Sequence, residues 1–452
     1  MSDVKRIKPS LSKGTRDFLP SEVAKRNYIF NTIKSVLRKY GFEEIETPAI
    51  EKLETLTGKY GEEGDKLLFK ILNSGDYLTE IRNGKYEIRN LDPKEITPLI
   101  AEKGLRYDLT VPLARYVVQH QDDLAFPFKR FHIGPVWRAD RPQKGRYQEF
   151  YQCDADVIGS NSLLNEVELT KIYVEVLSQL RIANCKIRIN SRKILEALAE
   201  YANCKDLITV ITVVIDKLDK IGIEGVKTEL NKLNLSQVQQ EKILALLQTK
   251  TLTELSSVLG NIEKGKKGIE ELNLTFKNVN SKNLFFDITL ARGLNYYTGI
   301  IWEVVCNDVQ IGSLGGGGRY DNLTEMFGAQ NMSGVGISFG IERIYDVLEE
   351  LQLFPENITQ GVKVLFVPRE ESVEEFTFQQ VQLLRDAGIA AEIFLGNVKK
   401  QKQFNYVEQK HIAYLVEIGG NEVQSGKFRL RNSQTRDTEV DLTTDDIISR
   451  LS

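Results

Sequence analysis

Two arginines and a phenylalanine carry the first chemical signal in this sequence. Arg138 closes an apolar run, a basic loop of Arg141, Pro142, Gln143, Lys144 and Gly145 follows, Arg146 opens the return run, and Phe150 lies four residues on. Cations gathered at a loop beside an aromatic ring can hold a polyanion and stack a planar base, which suits a nucleoside triphosphate. An arginine at a strand end can also bridge an α-phosphate and a carboxylate. Two anions that must meet repel each other. A fixed guanidinium between them lowers that barrier and stabilises charge developing in an in-line displacement at phosphorus. A lone arginine is more often a surface ion-pair partner. The R-x-D…R-x-x-x-F spacing from Arg138 through Asp140 and Arg146 to Phe150 favours the site instead.

These residues need a scaffold that holds them at one end of a hairpin. Residues 131–156 read as apolar alternation, turn, apolar alternation, which predicts an antiparallel pair. Before it, Ile29, Ile33, Val36, Leu37 and Tyr40 repeat at helical spacing over 21–40, with Ser21-Glu22 as the start and Gly41 as the stop. GFEEIETP then alternates as a strand, and Pro48 suits an edge or an interface. Residues 72–105 are polar and turn-rich, an excursion from the core. A strand entering a helix is expected over 105–118, with Asp108, Leu109 and Thr110 at the junction, and another helix over 165–180. From 191 to 279 the chain is rich in Leu, Lys, Glu and Ile and has no proline, which predicts a mostly helical insertion domain. Strands return at 284–288, 300–306 and 312–314, the last entering GGGGRYD, and a helix over 340–351 follows. After a linker at 355–361, β-α-β-α-β order predicts a separate C-terminal α/β domain.

Bulk properties bound the rest. A chain of 452 residues is too long for one ordinary core, and 41% hydrophobic with 27% charged residues is the balance of a soluble globular protein. No apolar run is long enough to span a bilayer, and the N-terminal segment has no apolar h-region, so a cytoplasmic protein is expected. The four cysteines are scattered and only three histidines are present, which leaves no Cys/His zinc pattern; no metal site is expected from these residues. A net charge of −3 excludes a globally basic nucleic-acid coat but not local basic grooves.

Arg138, Asp140, Arg146 and Phe150 resemble motif 2 of the class II aminoacyl-tRNA synthetases. GFEEIETPAIE resembles motif 1, and the run from Gly334 to Arg343 resembles motif 3. LRYDLTVPLARYV, RPQKGRYQEFYQCDAD, LARGLNYYTG and GGGGRYDNL are similar to stretches typical of the histidyl-tRNA synthetases. The resemblance implies an α/β (α+β) multidomain protein. Its class II antiparallel-sheet core would comprise 1–190 and 280–354, with the helical insertion at 191–279 and an anticodon-binding domain at 361–452. It also implies a homodimer, through motif 1.

The resemblance assigns Arg138 to the α-phosphate, Arg146 and Arg343 to the γ-phosphate, and Phe150 to adenine, with Asp140 in the same motif. Arg292 would point at the α-phosphate and the substrate carboxylate, and Gln152 and Tyr296 would line the amino-acid pocket. Histidine as substrate agrees with the chemistry of the residues. A neutral imidazole has one N–H donor and one acceptor nitrogen, and Asp156 and Tyr297 could meet those two. The α-ammonium needs anionic or carbonyl partners, which the turn of Asp108, Leu109 and Thr110 offers. Gln143 and Lys144 stand where the acceptor end of tRNA would arrive. The implied reaction has two steps: histidine and ATP give histidyl-adenylate and pyrophosphate, and a tRNA ribose hydroxyl then takes the histidyl group. No side-chain nucleophile is required, and magnesium would come with the nucleotide. Two departures stand out: Asp140 where many members carry Glu, and Asn295 where Asp is common. The alternative reading is a catalytically silent regulator of histidine biosynthesis or sensor of uncharged tRNA. Such a biosynthetic regulator generally lacks the C-terminal domain and loses signature residues that this chain keeps.

Overall fold

The computed structural model describes residues 8–58, 60–83, 92–291, 296–355, 358, 361–396 and 400–452. They form two compact units, Met1–Phe354 and Pro355–Ser452. The strands described in the first unit are β1 (Glu43–Glu44), β2 (Ile50–Lys52), β3 (Lys70–Ile71), β4 (Lys103–Leu105), β5 (Phe128–Trp137), β6 (Glu149–Ile158), β7 (Cys185–Ser191), β8 (Leu284–Phe286), β9 (Ile300–Cys306), β10 (Gly315–Tyr320) and β11 (Gly334–Gly340).

Eight of them make one sheet in the order β1-β5-β6-β11-β10-β9-β7-β8. Its central pairs are antiparallel, and only the outermost pairs, β1 with β5 and β7 with β8, are parallel. The two long strands of the expected hairpin, β5 and β6, pair over their full lengths. Strand alternation gives β6 two faces. Cys153, Ala155 and Val157 are fully buried and share a core with Ile29, Ile33 and Leu37 of the helix Pro20–Lys39 and with Leu169, Ile172 and Val176 of the helix Leu164–Gln179. Each such aliphatic side chain contributes about 1.5–3 kcal/mol on burial. Gln152, Asp154 and Asp156 take the other face. The first helix begins at Pro20, and Glu22 accepts a bond from the Leu19 amide at 2.6 Å, so a proline and a glutamate make the start expected of Ser21.

The polar excursion folds as short helices, Thr79–Asn83 and Pro93–Ile100, beside a small sheet in which β4 pairs with both β2 and β3. Residues 84–91 of that stretch lie outside the described residues. The helical segment runs from Arg192–Tyr201 to Glu263–Asn278. It does not stand as a third compact unit. Ile194, Leu198 and Leu272 join Ile187 and Ile189 of β7 in the core that the large sheet also feeds, so the helices are an outgrowth of that core. Gly222 breaks the helix Leu218–Asn231 with φ of 67°, a conformation open to glycine at no steric cost.

The second unit holds β12 (Val364–Pro368), β13 (Ala391–Ile393), β14 (Tyr414–Ile418), β15 (Phe428–Asn432) and β16 (Thr438–Leu442) in the order β13-β12-β14-β15-β16. The first three are parallel, as β-α-β-α-β order requires. Two antiparallel return strands and a final helix, Thr444–Leu451, extend it beyond that expectation. Phe366, Val381, Val416, Phe428 and Ile447 form its own core.

Candidate active site

The sheet face carrying Gln152, Asp154 and Asp156 is laid out in rungs. Gly134, Gln152 and Gly340 are aligned, then His132, Asp154 and Ser338, then Arg130, Asp156 and Gly336. On the next strand Gly316 faces Ser338 and Gly318 faces Gly336. The glycines make room. A Cβ on Gly336 would sit 1.8 Å from Asp156 Oδ1, and one on Gly318 would sit 2.6 Å from the Tyr297 ring. The sheet therefore has a sunken floor into which polar side chains fit.

Over this floor lies a cavity of about 420 Å³ lined by Arg138, Asp140, Arg146, Phe150, Gln152, Tyr297 and Arg343, with Tyr107, Tyr147, Glu303, Ser338 and Glu342 among its other walls. Seven of the residues singled out from sequence thus meet in one place. Arg138 sits between rings: its guanidinium carbon is 4.2 Å from the Tyr107 centroid and 5.2 Å from that of Phe150, while Nε donates to the Tyr107 carbonyl at 3.1 Å. Stacking of this kind fixes a planar cation without consuming all its donors. Arg146 pairs with Asp140 at 3.2 Å. Arg343 Nε donates to the Gly145 carbonyl and Nη1 to that of Ser313, both at 2.8 Å, tying the hairpin tip to the start of the helix Ile341–Glu350. At the tip, Gln143 and Arg146 exchange backbone bonds around Lys144-Gly145, and the left-handed φ of Gly145, 69°, permits the turn. Gln143 and Lys144 are exposed there, and Lys144 reaches Glu350 at 3.0 Å.

Asp108, Leu109, Thr110, Asp154, Asp156 and Tyr296 do not line this cavity; they lie behind its inner end, Thr110 and Tyr296 half-buried and the others buried. Asp108 Oδ1 accepts from the Val111 amide and the Tyr60 hydroxyl, each at 3.1 Å. Thr110 Oγ1 lies 3.4 Å from Asp154 Oδ2. Tyr296 packs edge-on to Tyr297 with centroids 5.0 Å apart. Leu109 is a core residue whose carbonyl accepts from Arg130 Nη2 at 3.3 Å, so its side chain contributes packing and not a polar contact. Asp156 is more tightly held than its sequence role suggested, by the Arg130 guanidinium at 2.7 Å and the Tyr320 hydroxyl at 2.5 Å. Arg292, expected at the phosphate and carboxylate, lies outside the described residues, as does Asn295. Sequence reasoning passed over Tyr60, Tyr107, Arg130, His132, Asp154 and Tyr320. Their partners are distant in sequence, and only the strand register of Arg130 with Asp156 and His132 with Asp154, readable once the hairpin is aligned, could have pointed to any of them.

Burial governs the electrostatics. Desolvation raises Asp108, Asp154 and Asp156, and the charge of Asp156 adds to the effect on Asp154, which is pushed up to about 7. Burial, with Arg130 and Arg106 nearby, lowers His132 to about 3, so it is neutral. Asp108 Oδ2, Gln152 Oε1, Asp154 Oδ1, the Tyr296 hydroxyl, His132 Nδ1 and Arg130 Nε and Nη1 have no hydrogen-bond partner among the described residues. Orphaned buried polar atoms are rare in folded proteins, and a group of them, both donors and acceptors, beside one cavity marks a place for a polar ligand. No group of three or more His, Cys, Asp or Glu side chains among the described residues could hold a metal ion, and no described helix is long and apolar enough to cross a membrane.

Known proteins give this geometry a family. A profile of the histidyl-tRNA synthetases matches residues 14–79 and 101–344, and one of anticodon-binding domains matches 362–452. A histidine-tRNA ligase of Bacteroides fragilis is 51% identical over 98% of this chain and 99% of its own length. One of Phocaeicola vulgatus is 50% identical over 98% of each. The crystal structure of a histidyl-tRNA synthetase from Nostoc superposes with a TM-score of 0.80 at 30% identity, covering 98% of this chain and all of that one. A Bacillus halodurans structure described as an ATP phosphoribosyltransferase regulatory subunit/histidyl-tRNA synthetase shares the fold at 20% identity and a TM-score of 0.71, so the fold by itself does not separate enzyme from regulator. Identity near one half over almost the whole length does separate them, and on that ground the chain belongs to the histidyl-tRNA synthetase family.

Proposed function

We propose that the chain attaches L-histidine to its cognate tRNA in an ATP-dependent reaction that passes through histidyl-adenylate. The observation that carries this is the convergence of Arg138, Arg146, Arg343 and Phe150 with Gln152 and Tyr297 around one cavity. In the first step a carboxylate oxygen of histidine attacks the α-phosphorus of ATP and pyrophosphate leaves. Arg138, with Arg292 as its sequence partner, bridges the two anions. Arg146, braced by Asp140, and Arg343 hold the γ-phosphate, and Phe150 stacks on adenine. In the second step a terminal ribose hydroxyl of tRNA attacks the activated carbonyl and AMP leaves. Rate enhancement comes from positioning and fixed charge, with no covalent enzyme intermediate. Asp156, immobilised by Arg130 and Tyr320, accepts from the imidazole, since a carboxylate has more lone-pair positions than these two contacts use. Tyr297 meets the other ring nitrogen, Tyr296 backs it, and Asp108 and Thr110 face the α-ammonium.

Magnesium would come with the nucleotide and would offset phosphate charge; Glu303 and Glu342 of the cavity wall, now paired with Arg188 and Arg26, are the carboxylates that would supply oxygen donors. Gln143 and Lys144 meet the acceptor end of tRNA, and the second unit binds its anticodon. The protein works in the cytoplasm as a homodimer, the edge strand β1 lying in the motif 1 segment. The test is magnesium-dependent ATP–pyrophosphate exchange with each of the twenty amino acids. Exchange with histidine alone is expected. Exchange with none, or with another amino acid, overturns the reading.

A further inference from the structure

Three buried carboxylates lie behind the inner end of the cavity. Asp108, Asp154 and Asp156 are 2%, 3% and 2% exposed. Arg130, fully buried on β5, is the guanidinium among them; its Nη2 serves Asp156 and the Leu109 carbonyl, while its Nε and Nη1 have no hydrogen-bond partner among the described residues. Arg106, in the segment before the helix Thr110–Gln119, donates through Nε and Nη1 to the carbonyls of Pro135 and Thr47, and its charge also acts on Asp154. His132, opposite Asp154 on β5, is neutral. Tyr297 and Tyr296, before β9, bring hydroxyls and no positive charge. Asp154 has the Thr110 hydroxyl at 3.4 Å on Oδ2, the Ser338 hydroxyl beside it favours its charged form, and Oδ1 has no hydrogen-bond partner among the described residues. A buried carboxylate that no cation pairs directly carries a desolvation penalty that an arriving cation or a proton relieves.

We propose that Asp154 is an amino-acid-binding residue: its open Oδ1 accepts from the α-ammonium of bound histidine, beside Asp108 and Thr110, while Asp156 serves the imidazole. The assignment rests on the reading of this cavity as a histidine-activating site. Three observations select Asp154 for the ammonium. It shares its face of β6 with Gln152, a cavity wall, and lies two residues from it. It touches Thr110, next to the Asp108 carboxylate. Asp156, by contrast, already has its countercharge. The substrate's ammonium is thus the cation that this cluster is built to receive. A corollary follows for protons. Burial and Asp156 push Asp154 up to about 7, so it is partly protonated in the empty site near neutrality, and the arriving ammonium favours the carboxylate, so binding releases a fraction of a proton.

The experiment compares histidine with its desamino analogue, imidazolepropionate, which keeps the ring and the carboxylate but lacks the ammonium. In Asp154→Asn, the histidine KM in ATP–pyrophosphate exchange should rise about tenfold or more, as loss of a charged hydrogen bond implies. The ATP KM should change less than about twofold, and inhibition by imidazolepropionate should hardly change. Equal losses for histidine and the analogue would make Asp154 structural and overturn the proposal. Should the variant fail to fold, calorimetry of the unmodified protein decides. Histidine binding near pH 7, measured in buffers of different ionisation enthalpy, should release more protons than analogue binding; equal release refutes the assignment. Absence of histidine-dependent exchange in the unmodified protein would instead remove the ligase reading, and this proposal with it.

Discussion

Replacing Arg130 with methionine is the sharpest available perturbation of the pocket floor. Arg130 is fully buried, 2.7 Å from Asp156, and also donates to the Leu109 carbonyl. The substitution keeps much of the side-chain volume but strands a buried carboxylate and a buried carbonyl. Breaking one partner of a buried pair costs about 3–5 kcal/mol. Domains of 150–250 residues lose about 2–4 °C per kcal/mol and larger ones less, so the first unit should melt roughly 5–10 °C lower. Asp156→Asn alone strands the guanidinium instead and should cost a similar amount. The double variant removes both charges while the asparagine can still accept from Tyr320, so it should be more stable than the sum of the single losses by about 2 kcal/mol or more, the coupling of groups in direct contact. Differential scanning calorimetry of the four proteins reads the cycle. The kinetics give a second reading: Arg130→Met should raise the histidine KM and leave the ATP KM nearly unchanged, because the phosphate arginines lie at the other end of the cavity. Additive losses, or a melting point within about 1 °C of the parent, would refute the view that this pair carries the floor.

Other consequences are equally direct. His132 is held neutral with its pKa lowered to about 3 from an ordinary 6.5, so between those values the unfolded chain binds a proton that the folded one refuses. Stability therefore falls as pH drops through that window, by about 2 kcal/mol at pH 5, and His132→Gln should flatten urea-melt stability between pH 7 and 5. Gly318→Ala puts a methyl group 2.6 Å from the Tyr297 ring and must displace it; the histidine KM should rise about tenfold with little change for ATP, and an unchanged histidine KM would remove Tyr297 from the pocket. Arg343→Lys cannot serve the Gly145 and Ser313 carbonyls and a phosphate together, so the ATP KM should rise about tenfold in exchange assays, with the histidine KM little altered.

The parts of this molecule legible in its sequence are those whose signal is local. The hairpin could be read because alternation, turn and return lie within one short stretch, and the same holds for the helix Pro20–Lys39 and for the parallel strands of the second unit. Thr438–Leu442 escaped notice because it is almost wholly exposed and has no apolar face to alternate. The helices 192–278 looked like a domain because they are uniformly helical in composition; their attachment through Ile194 and Leu272 to β7 is a packing fact that no local pattern encodes. The site divides in the same way. Arg138, Arg146 and Phe150 announce themselves by spacing. The two carboxylates in QCDAD look alike on paper and have different partners in space: Arg130 and Tyr320 bind Asp156, and Tyr320 comes from 164 residues further along the chain. Distant strands thus decide which of two similar aspartates is paired directly and which keeps an open oxygen. A substrate ammonium is read by a carboxylate oxygen that the fold leaves open, and among the described residues Asp154 Oδ1 is such an oxygen.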